Sequence, residues 1–107
     1  MLTDPDRQVV QAFKRLLHDA HVPLYQVVAF GSRARGDADP DSDLDVLVVV
    51  DHVDREMRTR ISDCAWEAGF DAGIIVQSVV MTRAEIEDGP ERSSLLMLAV
   101  RNEGIPV

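Results

Sequence analysis

Hydrophobic residues along the chain fall into two periodicities, and their alternation sketches the elements. Val9, Val10, Phe13, Leu16 and Leu17 recur at helical spacing, which predicts an apolar stripe on an amphipathic helix. Thr3 is placed to cap that helix, with Pro5 in the first turn and Asp6 three residues after the cap. Pro23 closes the segment. Leu24 to Phe30 (LYQVVAF) reads as a strand that stops at Gly31-Ser32. The polar stretch from Arg33 to Ser42, with Gly36 and Pro40 inside it, must contain a turn or loop. Leu44 to Val50 (LDVLVVV) is a second strand, and its near-continuous apolar run predicts burial on both faces. Asp54 to Ala68 is expected to be helical, with Met57, Ile61, Ala65 and Ala68 along one side and Gly69 as its end. Gly73 to Met81 (GIIVQSVVM) is the third strand. Thr82 then caps a short helix with Glu85 at the capping-box position. After Gly89-Pro90, Ser94 to Arg101 forms a last helix that ends near Gly104. Its apolar face (Leu95, Leu96, Leu98, Ala99) is expected in the core, with part of it available as an interface. The order helix–strand–strand–helix–strand–helices is that of a small mixed α/β (α+β) domain.

Composition narrows the class. A length of 107 residues suits one domain over 1–107, and 46% hydrophobic content is enough for a single core. No second, substrate-recognising domain is expected. Lys and Arg total 11 against 19 Asp and Glu, a net charge of −8. Nucleic-acid binders need a basic face to neutralise phosphates, so direct binding of DNA or RNA is not expected, nor is a polyanionic membrane. The single cysteine, Cys64, can form no intramolecular disulfide, and there is no zinc-type spacing of Cys and His. The polar, acidic N-terminus (MLTDPDRQ) does not read as a signal peptide. The longest apolar runs fall well short of the roughly 20 residues that span a bilayer. A soluble cytoplasmic protein is the expectation.

Distinctive chemistry lies between Phe30 and Val50. Gly31-Ser32 directly after a strand lets the backbone approach a ligand closely. If the chain turns helical there, its free N–H groups make an anion site. The competing reading is an ordinary strand-ending turn. Gly31 and Gly36 stand at the P-loop interval, but Asp37 and Ala38 occupy the places of the required Lys and Ser/Thr, so a P-loop is excluded. Asp43 and Asp45 are spaced i, i+2, which on a strand puts both carboxylates on one face. Such a pair is costly to desolvate and self-repelling, and a divalent cation such as Mg²⁺ or Mn²⁺ resolves both problems. The competing reading is that Asp43 ends the loop and only Asp45 is partly buried. Asp37, Asp39, Asp41, Asp43 and Asp45 alternate like EF-hand ligands, but the required Gly and final Glu are missing in both registers. The outer aspartates read as a solvated acidic loop.

A phosphate-accepting turn about ten residues before a carboxylate pair is the apparatus of phosphoryl or nucleotidyl transfer, because flanking strands can pair and bring the two together. The run G-S-R-A-R-G-D-A-D-P-D-S-D-L-D resembles the GS-x₁₀-D-x-D motif of the DNA polymerase β-like nucleotidyltransferases. Within them it is most similar to the minimal nucleotidyltransferases (MNT), whose motif reads GSxARG followed by SDxD.

The resemblance implies a polymerase β-like fold, with a mixed sheet of three to four strands flanked by helices. It implies that Gly31 and Ser32 hold the triphosphate of ATP and that Asp43 and Asp45 ligate the catalytic Mg²⁺. Arg33 and Arg35 would assist the phosphates; their rival role is a salt bridge to the acidic loop. Members of the family supply a third carboxylate from a later strand, which helps to activate the attacking hydroxyl. The strand expected here contains no acid, and the positions that could face the site include Gly73, Ile75 and Gln77. Asp71 shares their parity and would serve if that strand began earlier.

The implied function is transfer of AMP to a hydroxyl, such as a tyrosine of a HEPN-type toxin for which this chain is the antitoxin, in a homo- or hetero-oligomer. The alternatives are a non-catalytic module that neutralises its partner by contact, and an aminoglycoside-type small-molecule enzyme that needs a second subunit. His18, His21 and His52 read as surface or loop residues. Cys64 and Trp66 read as core or partner-facing residues of a helix.

Overall fold

A computed structural model describes residues 2–89 and 94–107 of the chain. Its elements follow the hydrophobic pattern closely. Helix α1 spans Asp4–Asp19 and begins with the expected cap: the Thr3 hydroxyl accepts from the Asp6 N–H and the Asp6 carboxylate accepts from the Thr3 N–H, both at 3.2 Å. Val9, Val10, Phe13 and Leu17 form its buried stripe. Strands β1 (Leu24–Phe30) and β2 (Leu44–Val50) stand as the pattern predicts. Between them Gly31–Arg35 winds into one helical turn, α2, which meets the condition set for Gly31-Ser32; the rest of the stretch before β2 is turn and loop.

Helix α3 (Arg55–Phe70) is capped by Asp54 and continues through Gly69 rather than stopping at it. The reason is local. A Cβ on Gly69 would overlap the Ile74 carbonyl, so glycine there lets the chain fold back tightly onto the helix rather than ending it. That fold-back occupies residues through Ile75, so β3 runs Val76–Thr82 instead of starting at Gly73. The reciprocal Thr82–Glu85 cap opens α4 (Arg83–Glu87), and Ser94 caps α5 (Leu95–Glu103). Pro90, part of the expected Gly89-Pro90 break, lies outside the described residues. A short β4 (Ile105–Pro106), which its two residues could not announce, completes the sheet.

The four strands lie in the order β3-β2-β1-β4. β1 is antiparallel to β2 and to β4, whereas β2 and β3 are parallel, joined by the α3 crossover. Alternation on the central strand sorts side chains onto two faces. Leu44, Val46, Val48 and Val50 join Val27 and Ala29 in a core with residues of α1 and α3. Leu47 and Val49 face the other way with Val28, Phe30, Met81 and Met97. β2 is thus buried on both faces. On α5 the expected core face is rotated: Met97 is buried, while Leu95 and Leu98 are exposed.

Candidate functional site

The edge between β1, α2 and β2 brings the two halves of the motif together. Pairing of Phe30 with Asp45 sets the end of β1 against the start of β2, so Gly31 falls beside the Asp45 carboxylate. The approach is so close that a Cβ on Gly31 would overlap Asp45 Oδ2. Gly31 also sits at φ +81°, a left-handed conformation that side chains disfavour. Two independent constraints therefore require glycine. The residue at the N-cap of α2, Phe30, makes no side-chain cap hydrogen bond, and the C-terminal end of α2 closes on Gly36 at φ +85°.

Asp45 is half-buried among apolar neighbours on β2, whereas Asp43 lies one residue before the strand and is exposed. Burial pushes the Asp45 carboxyl above its ordinary range. The negative charge of Asp43 pushes in the same direction, and Arg35 opposes them. The carboxylates are close enough to feel each other. Such a pair, with hard oxygen donors and electrostatic repulsion that a cation would relieve, fits Mg²⁺ or Mn²⁺. Among the described residues no group of three or more His, Cys, Asp or Glu side chains is placed so that it could hold a metal ion.

The two arginines of α2 part company. Arg33 is almost enclosed and donates to Asp6 Oδ1 at 2.8 Å, to the Ser42 carbonyl at 2.7 Å and to the Pro40 carbonyl at 2.9 Å. Its ion-pair partner is the buried capping aspartate of α1, not a carboxylate of the acidic loop, and all its nitrogens are engaged structurally. Arg35 is open to solvent and hydrogen-bonds Glu103 at 2.9 Å and Asp37 at 3.2 Å, both of which hold it charged.

The condition set for Asp71 is not met. Asp71 terminates α3 and lines a surface cleft with Asp63, Trp66, Glu67 and Phe70, while β3 begins at Val76. In the parallel register Asp45 stands opposite Gln77, so the two side chains share a face. Of the positions left open on the third strand, the register selects Gln77, an exposed neutral amide. His52 lies beyond the far end of β2, beside Asp51, Arg83 and Glu87, roughly 20 Å of strand from Asp45. Asp6 and Glu103 are the contributors that sequence reasoning missed. Asp6 carried a visible signal as a cap residue, but nothing local pairs either acid with its arginine.

Residues 7–100 match the family described as "Nucleotidyltransferase domain". The chain belongs to this nucleotidyltransferase family. It is also 36% identical over 78 residues to a bifunctional uridylyltransferase/uridylyl-removing enzyme of Burkholderia thailandensis. That alignment covers 68% of this chain but only 9% of the enzyme's length. Among solved structures, a toxin–antitoxin structure with AMP-PNP aligns over 94% of this chain and 70% of the matched chain, at TM-score 0.60 and 22% identity. The complex of a tri-AMPylated Shewanella oneidensis HEPN toxin with its MNT antitoxin aligns over the same shares, at TM-score 0.56 and 20% identity. These neighbours share the fold, a mixed sheet flanked by helices as in polymerase β-like nucleotidyltransferases. Among the described residues no helix is long and apolar enough to cross a membrane.

Proposed function

We propose that this chain is a metal-dependent nucleotidyltransferase that moves AMP from ATP to a hydroxyl, the acceptor being a tyrosine of a HEPN-type toxin that it neutralises in the cytoplasm. The observation that carries this reading is the contact of Gly31 with Asp45, which joins a glycine-serine turn to a desolvated carboxylate. Support also comes from structures of the same fold, one with AMP-PNP and one with an AMPylated toxin.

In this reading Gly31 and Ser32 hold the triphosphate, and Arg35 turns from Glu103 and Asp37 toward a phosphate. Arg33 positions the turn by tying it to α1 and to the loop before β2. Asp43 and Asp45 would hold Mg²⁺ or Mn²⁺, which when bound neutralises triphosphate charge and acidifies the attacking hydroxyl. The acceptor oxygen forms a bond to the α-phosphorus as the bridge to the β-phosphate breaks; pyrophosphate leaves and the hydroxyl proton is released. Asp71 has no part in this step. Gln77 cannot take the proton as an amide, so turnover is expected to be slow.

Incubation with ATP, Mg²⁺ and the HEPN-type toxin is expected to add adenylyl groups to the toxin, read by intact mass, and Asp45→Asn is expected to abolish the gain. Transfer that survives this substitution would sink the metal-site assignment. The neutral Gln77 favours a second reading, neutralisation by contact alone. Under that reading the double variant Asp43→Asn/Asp45→Asn still protects cells from the toxin; under the first, protection is lost.

A further inference from the structure

Away from the motif, the outward side of α3 carries two parallel stripes. Trp66 and Phe70 are one turn apart and 65% and 67% exposed, with ring centroids 6.1 Å from each other. Ile75, 56% exposed, extends the apolar surface from the helix to the chain entering β3. Beside the rings run Asp63, Glu67 and Asp71, each four residues from the next and therefore on one helix face. Rings and carboxylates together line a cleft of about 570 Å³. An adjoining hollow of about 160 Å³ shares Trp66 and Phe70 and continues to Gly73, Ile75 and Val76.

Large aromatic side chains left together in water are costly, and a rimmed patch of them marks an interaction surface. We propose that this face docks a helix of a partner protein, an amphipathic helix whose apolar strip is flanked by Lys and Arg. The apolar strip would cover Trp66, Phe70 and Ile75, and the cations would meet Asp63, Glu67 and Asp71. A second copy of this chain is the wrong occupant, since it would set one acidic stripe against another in a protein of net charge −8. The negative field of the stripe already reaches inward. Burial first, and then Glu67 and Asp63, push the Cys64 thiol up. The face also borders the candidate site: the Ile75 carbonyl accepts from the Leu44 N–H at 2.9 Å, between Asp43 and Asp45.

Trp66 is the single tryptophan of the chain, so its fluorescence reports this face alone. The full chain is titrated with a synthetic tryptophan-free helical peptide carrying a leucine strip flanked by lysines and arginines, without ATP or metal. A saturable blue shift is expected. Phe70→Ala and, separately, Glu67→Lys should each weaken binding at least about tenfold with unchanged far-UV circular dichroism. Both positions are on the exposed side of the helix, so the fold is expected to persist. No shift, an equal shift with a scrambled peptide of the same composition, or unchanged affinity in both variants would overturn the proposal. Concentration-dependent self-association of the chain that Phe70→Ala abolishes would also overturn it, by giving the face to a second copy. Because the readout needs neither nucleotide nor metal, failure of the nucleotidyl-transfer reading leaves it intact.

Discussion

Gly31 and Asp45 share one small volume, and each limits what the other can be. Gly31→Ala must adopt φ +81° and displace the Asp45 carboxylate. The left-handed conformation alone costs about 1–2 kcal/mol, so a loss of about 2 kcal/mol is expected in urea denaturation, together with loss of any stabilisation by Mn²⁺. Asp45 makes a pH prediction whose sign is opposite to that of a salt-bridged aspartate. Its folded pKa is raised, chiefly by burial, so the folded state holds the proton more tightly than the unfolded chain. Without metal, stability therefore falls as pH rises from the unfolded value of about 3.9 through the raised folded one. Asp45→Asn is expected to raise the metal-free Tm at pH 7 and to leave it unchanged near pH 3. Metal must displace that proton, so stabilisation of the native protein by Mn²⁺ should grow across the same rise in pH. A metal-free Tm that drops at pH 7 in the Asn variant would contradict the desolvation of Asp45.

At the scale of elements, the contacts that arrange the site are long-range. Arg33 joins α2 to Asp6, 27 positions away, and Arg35 joins it to Glu103, 68 positions away. Arg33→Met strands the nearly fully buried Asp6 carboxylate and releases the carbonyls of Pro40 and Ser42. Breaking one side of a buried pair costs about 3–5 kcal/mol, and equilibrium unfolding should show a loss of that size. Replacing both partners by apolar residues should cost less than Arg33→Met alone. Because Gln77 stands beside Asp45 on the parallel strand, Gln77→Asp would place a third carboxylate at the pair. Calorimetry is expected to show Mn²⁺ binding tightened at least about tenfold, as added ligand charge tightens cation sites. If the proposed transfer occurs, it should speed up by about 10²-fold, the size of a single acid–base contribution. Unchanged metal affinity would mean that Gln77 does not reach the pair.

For the whole molecule, the acidic balance and the division of the sheet into two faces set what can bind where. Among the described residues α1 and α3 pack on one face and α5 on the other, and the edge at Gly31, Asp43 and Asp45 and the outer side of α3 are left open. Ligand binding to that edge should be visible globally. ATP with Mg²⁺ at about 100 times its Kd adds about 2.7 kcal/mol to the stability of any fold that binds it. Thermal denaturation should show that gain in the native chain and its absence in Asp43→Asn. An equal gain in both would place the nucleotide elsewhere.

Most of the elements were legible because their causes are local. Helical stripes, two reciprocal caps at Thr3–Asp6 and Thr82–Glu85, and the apolar run of β2 each lie within a few residues of themselves. The spacing of Gly31-Ser32 from Asp43 and Asp45 was legible for the same reason, and with it the family and its expected chemistry. Pairing is different: register depends on twist, crossover length and packing between segments far apart in the chain. Only the tertiary structure placed Gln77 opposite Asp45, left Asp71 at the end of α3, turned Arg33 onto Asp6, and began β3 at Val76. Only it showed Trp66 and Phe70 facing water, because which side of a helix is covered is decided by the neighbours that pack on it.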